Sequence, residues 1–153
     1  MLALVFLAEI VVTGRALPEP AGAQAYAART LDADTLAAEA SGRPENALRG
    51  VAGFQQFRRT DSRAANPTSQ GVTFRGLGGN AASRAVVTLD GVPLADPFGG
   101  WIAWSAVPPL EAARVTRGGG AGAFGSGAVA GAVELFGAGP EPGLDAAYGS
   151  RDA

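Results

Sequence analysis

Two arginines are the residues best suited to specific chemistry in this chain. Arg75 and Arg117 each end a short strand-like run, over residues 72–76 and 114–118, and each is followed by a glycine. Arginine stays charged at any physiological pH, and its planar guanidinium binds a carboxylate through two parallel hydrogen bonds. The pattern indicates two fixed positive charges at the ends of rigid elements, suited to binding carboxylates.

Catalytic chemistry has little support in the sequence. There is no cysteine and no histidine, which removes thiol chemistry, the common zinc ligand sets and the usual general base near neutral pH. Asp90 and Asp96 could suggest paired carboxylates, but Asp90-Gly91 and Asp96-Pro97 are dipeptides typical of turns. We therefore expect no catalytic residues, no metal site, no cofactor and no enzyme activity.

One glycine-rich segment fits a dinucleotide fingerprint in form. Gly120, Gly122 and Gly125 have the G-x-G-x-x-G spacing and follow a strand-like run. The motif requires a helix at that point, which Gly127 and Gly131 would interrupt. A phosphate loop of the Walker type is excluded because the chain has no lysine. A nucleotide-binding enzyme remains an alternative that an NAD or FAD binding assay would test.

Composition limits the rest of the molecule. At 153 residues the chain is long enough for one domain with a core, but it contains 23 glycines, which add no side chain to that core. We expect a loop-rich domain of marginal stability in isolation. The net charge of −2 lacks the basic surplus of nucleic-acid-binding proteins, so no nucleic-acid partner is expected.

The elements that would position the arginines are short. Helices are predicted over 31–40, with Asp32 or Asp34 as N-cap and Leu36 facing inward, and over 45–50, where Pro44 suits the first turn. A helical turn is predicted at 110–113. Strands are predicted over 24–30, 54–59, 72–76, 84–94, 114–118 and 132–136. This is an α+β pattern: a small mixed β-sheet with two short helices and long loops.

The N-terminal residues form two segments with open interpretations. Residues 1–8 are apolar but too short to span a membrane and lack a basic start. They are either the end of a signal peptide that begins upstream, or else an ordinary strand or a miscalled start. Residues 9–14 favour a strand and precede a proline-containing linker, 15–23. They are either a first strand or a tethered segment suited to joining the sheet edge of another protein.

Large aromatic side chains occupy the irregular stretch between the second and third of the central strands. Phe98, Trp101 and Trp104 lie among glycines and prolines. Such residues either hold a loop against the core or face a ligand. The sequence leaves both possibilities open.

Six segments in order resemble the plug domain of TonB-dependent outer-membrane receptors. The chain departs from the family pattern at Ala52, within segment 46–54, and at Gly119, directly after the second Arg-Gly motif; proline is common at both positions. At a third position, Phe124 stands where the family has tyrosine. The segments are 9–14 (the TonB box), 46–54 (a helix leading to a strand), 74–78 and 117–118 (two Arg-Gly motifs), 89–94 (an Asp-Gly-Val-Pro hairpin) and 124–135 (a Tyr-Gly-Ser signature).

The resemblance implies a domain organisation. The family fold is a plug inside a 22-stranded barrel, whose lumen the plug fills. The chain would then comprise a residual signal-like segment (1–8), the TonB box and linker (9–23), the plug (24–137), and a linker with the start of the first barrel strand (138–153). On this interpretation the chain is a fragment, or a product truncated after the plug.

The resemblance also implies roles for particular residues. The TonB box would bind the energy-coupling protein TonB, and the two Arg-Gly pairs would hold the plug through glutamates of its own C-terminal barrel. Without that barrel, we expect both arginines to be exposed or paired with acids of the plug. Outward loops over 60–70, 78–83 and 94–101 would face the ligand. The candidates are Glu9, Ile10, Val11, Val12, Thr13 and Gly14 for TonB; Arg75, Gly76, Arg117 and Gly118 for the barrel; and Asn80, Ser83, Asp96, Phe98 and Trp101 for the ligand.

The implied function is active transport. The plug would gate an outer-membrane barrel, facing the periplasm, for scarce chelates such as a ferric siderophore or cobalamin. An alternative keeps the fold but changes the class: a soluble periplasmic binding or signalling module without a barrel.

Overall fold

The computed structural model describes residues 27–57, 60, 62–66, 69–77, 83–119 and 124–139. The TonB-box segment 9–14, Asn80 and the strand expected from residue 144 onward lie outside these residues.

Five strands form one mixed sheet. Its order is β1-β6-β7-β4-β5, in which β4 and β7 are parallel and all other neighbours are antiparallel. Two further strands, β2 and β3, form a separate antiparallel pair. The predicted small mixed sheet is confirmed. The strands are β1 (Ala27–Asp32), β2 (Phe54–Gln56), β3 (Val72–Phe74), β4 (Ala85–Leu89), β5 (Val92–Pro93), β6 (Leu110–Arg117) and β7 (Gly131–Gly137).

The two predicted helices are present and short. Helix α1 (Ala33–Ala37) begins where the Asp32 carboxylate accepts a hydrogen bond from the Thr35 N–H at 2.9 Å. It is shorter than the predicted 31–40 because Leu31 and Asp32 belong to β1. Helix α2 (Pro44–Ala47) begins at Pro44 as expected and continues as a 3₁₀ turn, Leu48–Gly50. None of the described helices has the length and apolar character that crossing a membrane would require.

The helical turn predicted at 110–113 is wrong. These residues form the first half of β6, where Ala113 lies opposite Leu31 of β1 and Leu135 of β7. Alanine favours a helix when only local propensity acts. Here the hydrogen bonds to a strand on each side, and the burial of Ala113 between them, outweigh that preference.

One face of the sheet forms the core. Alternate residues of the central strands, such as Val115, Val133 and Val87, are fully buried on it. The largest buried side chain is Trp104, from the 3₁₀ turn Trp104–Ala106. Trp104 therefore holds its loop against the core, which decides between the two possibilities for this residue. The side chains that complete the cluster include Leu31, Leu48, Val51, Phe54, Val72, Phe74, Ile102 and Leu135.

The cap of α1 should make stability depend on pH in the acid range. Hydrogen bonds from the hydroxyl and N–H of Thr35 hold the pKa of Asp32 below its ordinary value of 3.8. A carboxyl whose pKa is lower in the folded state stabilises the fold above its unfolded pKa, and that contribution disappears as pH falls through the folded pKa. Asp32→Ala should therefore lower the free energy of unfolding at neutral pH, and the deficit should shrink well below pH 3.8.

Urea unfolding followed by circular dichroism, repeated over a pH series, measures this difference. Asp34→Ala is the matched control, because Asp34 lies in the first turn of α1 but is not its N-cap. A deficit for Asp32→Ala that is the same in acid and at neutral pH would contradict the assignment.

Candidate functional site

Arg75 lies just beyond β3, in a tight turn. It adopts a left-handed backbone with φ of 53°, Gly76 follows with φ of 69°, and the Leu77 N–H donates to the Phe74 carbonyl at 3.0 Å. The Arg75 N–H donates to the Gly53 carbonyl at 2.8 Å, which helps hold this uncommon conformation. Its side chain is exposed, as expected, and no described residue is a hydrogen-bond partner of its guanidinium.

Arg117 is arranged differently, although it also precedes a glycine. It is the last residue of β6 and lies opposite Ala27. Its guanidinium donates to the Ala52 carbonyl at 3.0 Å and to the Ala27 carbonyl at 3.3 Å. Arg117 is partly exposed, and among the described residues its partners are backbone carbonyls rather than an acid of the plug. Backbone carbonyls are its partners because β6 ends beside them.

The two arginines meet at one turn. Arg117 contacts Ala52 and Arg75 contacts Gly53, where a side chain added to Gly53 would lie 3.4 Å from Cγ of Arg75. We call the group Ala27, Ala52, Gly53, Arg75 and Arg117 the arginine junction. The junction thus joins two arginines to consecutive residues of one turn, through the Arg117 side chain and the Arg75 backbone N–H.

Described parts of the three loops predicted to face a ligand also meet. The Ile102 N–H donates to the Gln70 carbonyl at 3.3 Å, and the Ser83 N–H donates to the Gly100 carbonyl at 2.8 Å. The described ends of the three loops therefore lie close together, with Ile102 directly following the third loop. The Ser83 hydroxyl accepts a hydrogen bond from the Val72 N–H at 3.1 Å, so it holds β3 in place.

The loop around Phe98 is a hairpin closed by backbone and side-chain hydrogen bonds. Ala95 and Ile102 form a bridge at its base, and one Asp96 carboxylate oxygen accepts hydrogen bonds from the N–H groups of Phe98 (3.0 Å) and Gly99 (2.6 Å). Phe98 at the tip is 98% exposed, whereas Trp101 is half-buried. Asp96 therefore shapes the loop, and Phe98 is the side chain that the loop presents outward.

Sequence reasoning missed an ion pair inside the sheet. The Arg114 guanidinium makes two hydrogen bonds of 2.6 Å to the Glu134 carboxylate directly opposite on β7, and it lies 5.8 Å from the centre of the Phe136 ring. Such a bidentate pair is strong and directional. Only the register between β6 and β7 brings these residues together, so the sequence carries no local signal for the pair.

Sequence reasoning also missed Glu45. This carboxylate is fully buried near the start of α2 and accepts a hydrogen bond from the Ser62 N–H at 3.0 Å. An acid in the first turn of a helix is common on exposed surfaces, so the sequence gave no reason to expect a buried tie to a loop 17 residues away.

No metal or nucleotide site is evident in the part of the chain that the structure describes. That part contains no cluster of three or more Cys, Asp or Glu side chains able to hold a metal ion. The glycine fingerprint lies partly outside it: Phe124 is helical, and residues 125–130 form turns and bends.

The Phe98 loop gives a test of its packing. A Cβ atom added to Gly99 would lie 2.6 Å from Cδ1 of the Trp101 ring, so Gly99→Ala must displace the ring or open the loop. Trp101 should then become more accessible to acrylamide, measured by fluorescence quenching. Trp104, the other tryptophan, is fully buried and contributes little to the change.

Gly119→Ala is the control, because a Cβ atom there meets nothing within 4 Å. Equal quenching in the two variants would show that the loop does not depend on close packing at Gly99.

A protein-family comparison covers most of the described fold. The family model described as TonB-dependent Receptor Plug Domain matches residues 21–132. A comparison with curated protein sequences gave no significant match.

Several solved structures of similar fold are receptors or transporters. The ferric citrate transporter FecA, in its unliganded form, matches 73% of the chain at 23% identity and a TM-score of 0.58. The ferric yersiniabactin uptake receptor FyuA from Yersinia pestis matches 76% of the chain at 16% identity and a TM-score of 0.57. The siderophore receptor PirA from Acinetobacter baumannii matches 84% of the chain at 20% identity and a TM-score of 0.57. The chain spans only 17%, 17% and 19% of these proteins' lengths, so the likeness concerns one domain.

Proposed function

Because the chain belongs to the TonB-dependent receptor plug domain family, we propose that it gates an outer-membrane barrel and couples ligand uptake to TonB. The proposed ligand is a ferric siderophore or a comparable scarce chelate such as cobalamin. The similar structures support the siderophore class, since their names describe uptake of ferric yersiniabactin and ferric citrate. The plug would face the periplasm from inside the barrel.

The arginine junction is the observation that carries this proposal. Arg75 has an exposed guanidinium without a partner among the described residues, and the Arg117 guanidinium donates there to two backbone carbonyls and to no acidic side chain. Carbonyls do not neutralise a guanidinium, whereas a carboxylate does. We propose that glutamates of the barrel wall bind here, so that the Arg-Gly pairs Arg75-Gly76 and Arg117-Gly118 hold the plug in place.

The converging loops are the proposed ligand surface. Phe98 projects from a hairpin shaped by Asp96, and the half-buried Trp101 lies at the same loop. An exposed aromatic ring offers apolar area and a π face to a chelate ligand. Asp96, Phe98 and Trp101 stay candidates for this role, with Ser83 at the loop base and Asn80 in the neighbouring loop.

Energy coupling would begin at the N-terminal segment. Strand β1 lies at the edge of the sheet and starts at Ala27, opposite Arg117. We propose that Glu9, Ile10, Val11, Val12, Thr13 and Gly14 add as a strand to TonB, which pulls on the linker before β1. Tension applied to the linker would act first on Ala27, whose carbonyl accepts a hydrogen bond from Arg117 in the arginine junction.

Removal of residues 9–14 tests energy coupling. In a receptor that combines this plug with its barrel, the deletion should abolish uptake of the radiolabelled chelate while leaving its binding to the cell surface intact. The physical reason is that the deleted residues are not among the loops 60–70, 78–83 and 94–101 proposed to face the ligand. The control replaces residues 16–21 with the same number of glycine and serine residues. Normal uptake after the deletion would rule out the coupling role.

Arg75→Ala tests the contact with the barrel. A hydrogen bond to a charged group contributes about 1.5–3 kcal/mol, so losing it should raise the open fraction of the plug by about tenfold to a hundredfold. Leakage of a large antibiotic into intact cells measures this change. Arg29→Ala is the control, because Arg29 is an exposed arginine of β1 outside the junction. Leakage equal to that of the control would argue against the proposed contact.

A further inference from the structure

Glu45 connects two parts of the fold that lie far apart along the chain. Its carboxylate has no exposure to solvent, and it accepts the hydrogen bond from the Ser62 N–H at 3.0 Å. A carboxylate taken out of water needs such donors, because an unsolvated and unbonded charge is strongly destabilising. Residues 62–66 are therefore tied to α2 through Ser62.

The opposite end of the same segment contacts the arginine junction. The chain runs from Pro44 through α2 and the 3₁₀ turn to Gly53 within ten residues. At its far end the Ala52 carbonyl accepts from Arg117, and the Gly53 carbonyl accepts from the Arg75 N–H. One short segment thus binds the loop with its first turn and both arginines with its last residues.

This segment, residues 44–53, is held as one body. Leu48 is fully buried and Val51 is 1% exposed, so two side chains fix it in the core. Turn hydrogen bonds join Val51 N–H to Leu48 and Phe54 N–H to Val51 at 2.9 and 3.0 Å. Because protein cores are close-packed, a displacement at one end of such a unit is transmitted to the other end.

We propose that residues 44–53 link the loop residues 62–66 to the arginine junction, with Glu45 as the positioning residue that holds Ser62. The inference rests on the proposed function, because it says how a bound ligand would act on the plug. A ligand that moves the loop would alter the contacts of Arg75 and Arg117. The effect is reciprocal, because coupling between two sites acts equally in both directions.

Amide hydrogen exchange in the full 153-residue chain tests the link. Glu45→Gln keeps the shape of the side chain and removes its charge, which weakens the bond to Ser62. Exchange should become about tenfold faster at the Ser62 N–H and should also accelerate at the Arg75 N–H, which is bonded to Gly53. Amides of β6 and β7 should keep their protection.

Glu39→Gln is the matched control. The Glu39 carboxylate also accepts a backbone N–H, from Ser41 at 3.3 Å, but it lies before the segment. Glu39→Gln should leave the exchange rates of the Ser62 and Arg75 amides unchanged. If Glu45→Gln accelerates exchange at Ser62 without any change at Arg75, the link is wrong. If neither amide changes, Glu45 does not position the loop.

A second variant decides the case in which Glu45→Gln loosens the whole domain, including β6 and β7. Arg117→Gln removes the contact with Ala52 at the opposite end. Faster exchange at Ser62 in this variant would support the link, and unchanged exchange there would overturn it. Neither measurement involves a ligand, TonB or a barrel. A negative result would therefore overturn the link without bearing on the proposed function.

Discussion

The pairing of β6 with a neighbour on each side is the constraint on which the rest of this structure depends. Strand β6 is the longest, with eight residues, and its register with β1 and β7 fixes which side chains face the core. It puts Val115 inside, Arg114 against Glu134, and Arg117 beside Ala27. A slip of one residue would exchange the two faces, turning Arg114 towards the core and Val115 away from it.

Close approach of the backbone explains one of the many glycines. Gly131 starts β7 with φ of 143°, and any side chain there would collide with the Thr116 carbonyl and approach the Phe74 ring to 3.1 Å. Glycine is required because β7 enters the sheet directly against β6 and the β2–β3 pair. This contact brings the end of β6, and with it Arg117, next to the turn that Arg75 contacts.

The arginines differ in what balances their charge, and that difference bears on function. Arg114 has a carboxylate within the sheet, so its charge is already compensated. Arg117 has carbonyl oxygens, and Arg75 has an exposed guanidinium. An external acidic partner gains most from the latter two, because it does not have to compete with a bidentate ion pair. The arrangement is therefore consistent with a domain whose stabilising partner lies outside it.

The amino-acid sequence alone determined the turns and the helix caps, through preferences that act between near neighbours, and it showed the family motifs in order. Asp90-Gly91 forms the expected tight turn, with φ of 50° and 83°, and Pro44 begins α2, because each preference acts within a few residues. Only the tertiary structure decided the strand at 110–113, the different settings of Arg75 and Arg117, and the contacts of Glu45 with Ser62 and of Arg114 with Glu134. Those contacts join residues 17 and 20 positions apart, and Arg117 lies 65 positions from Ala52. Strand register and packing set such distances, and no local pattern encodes them.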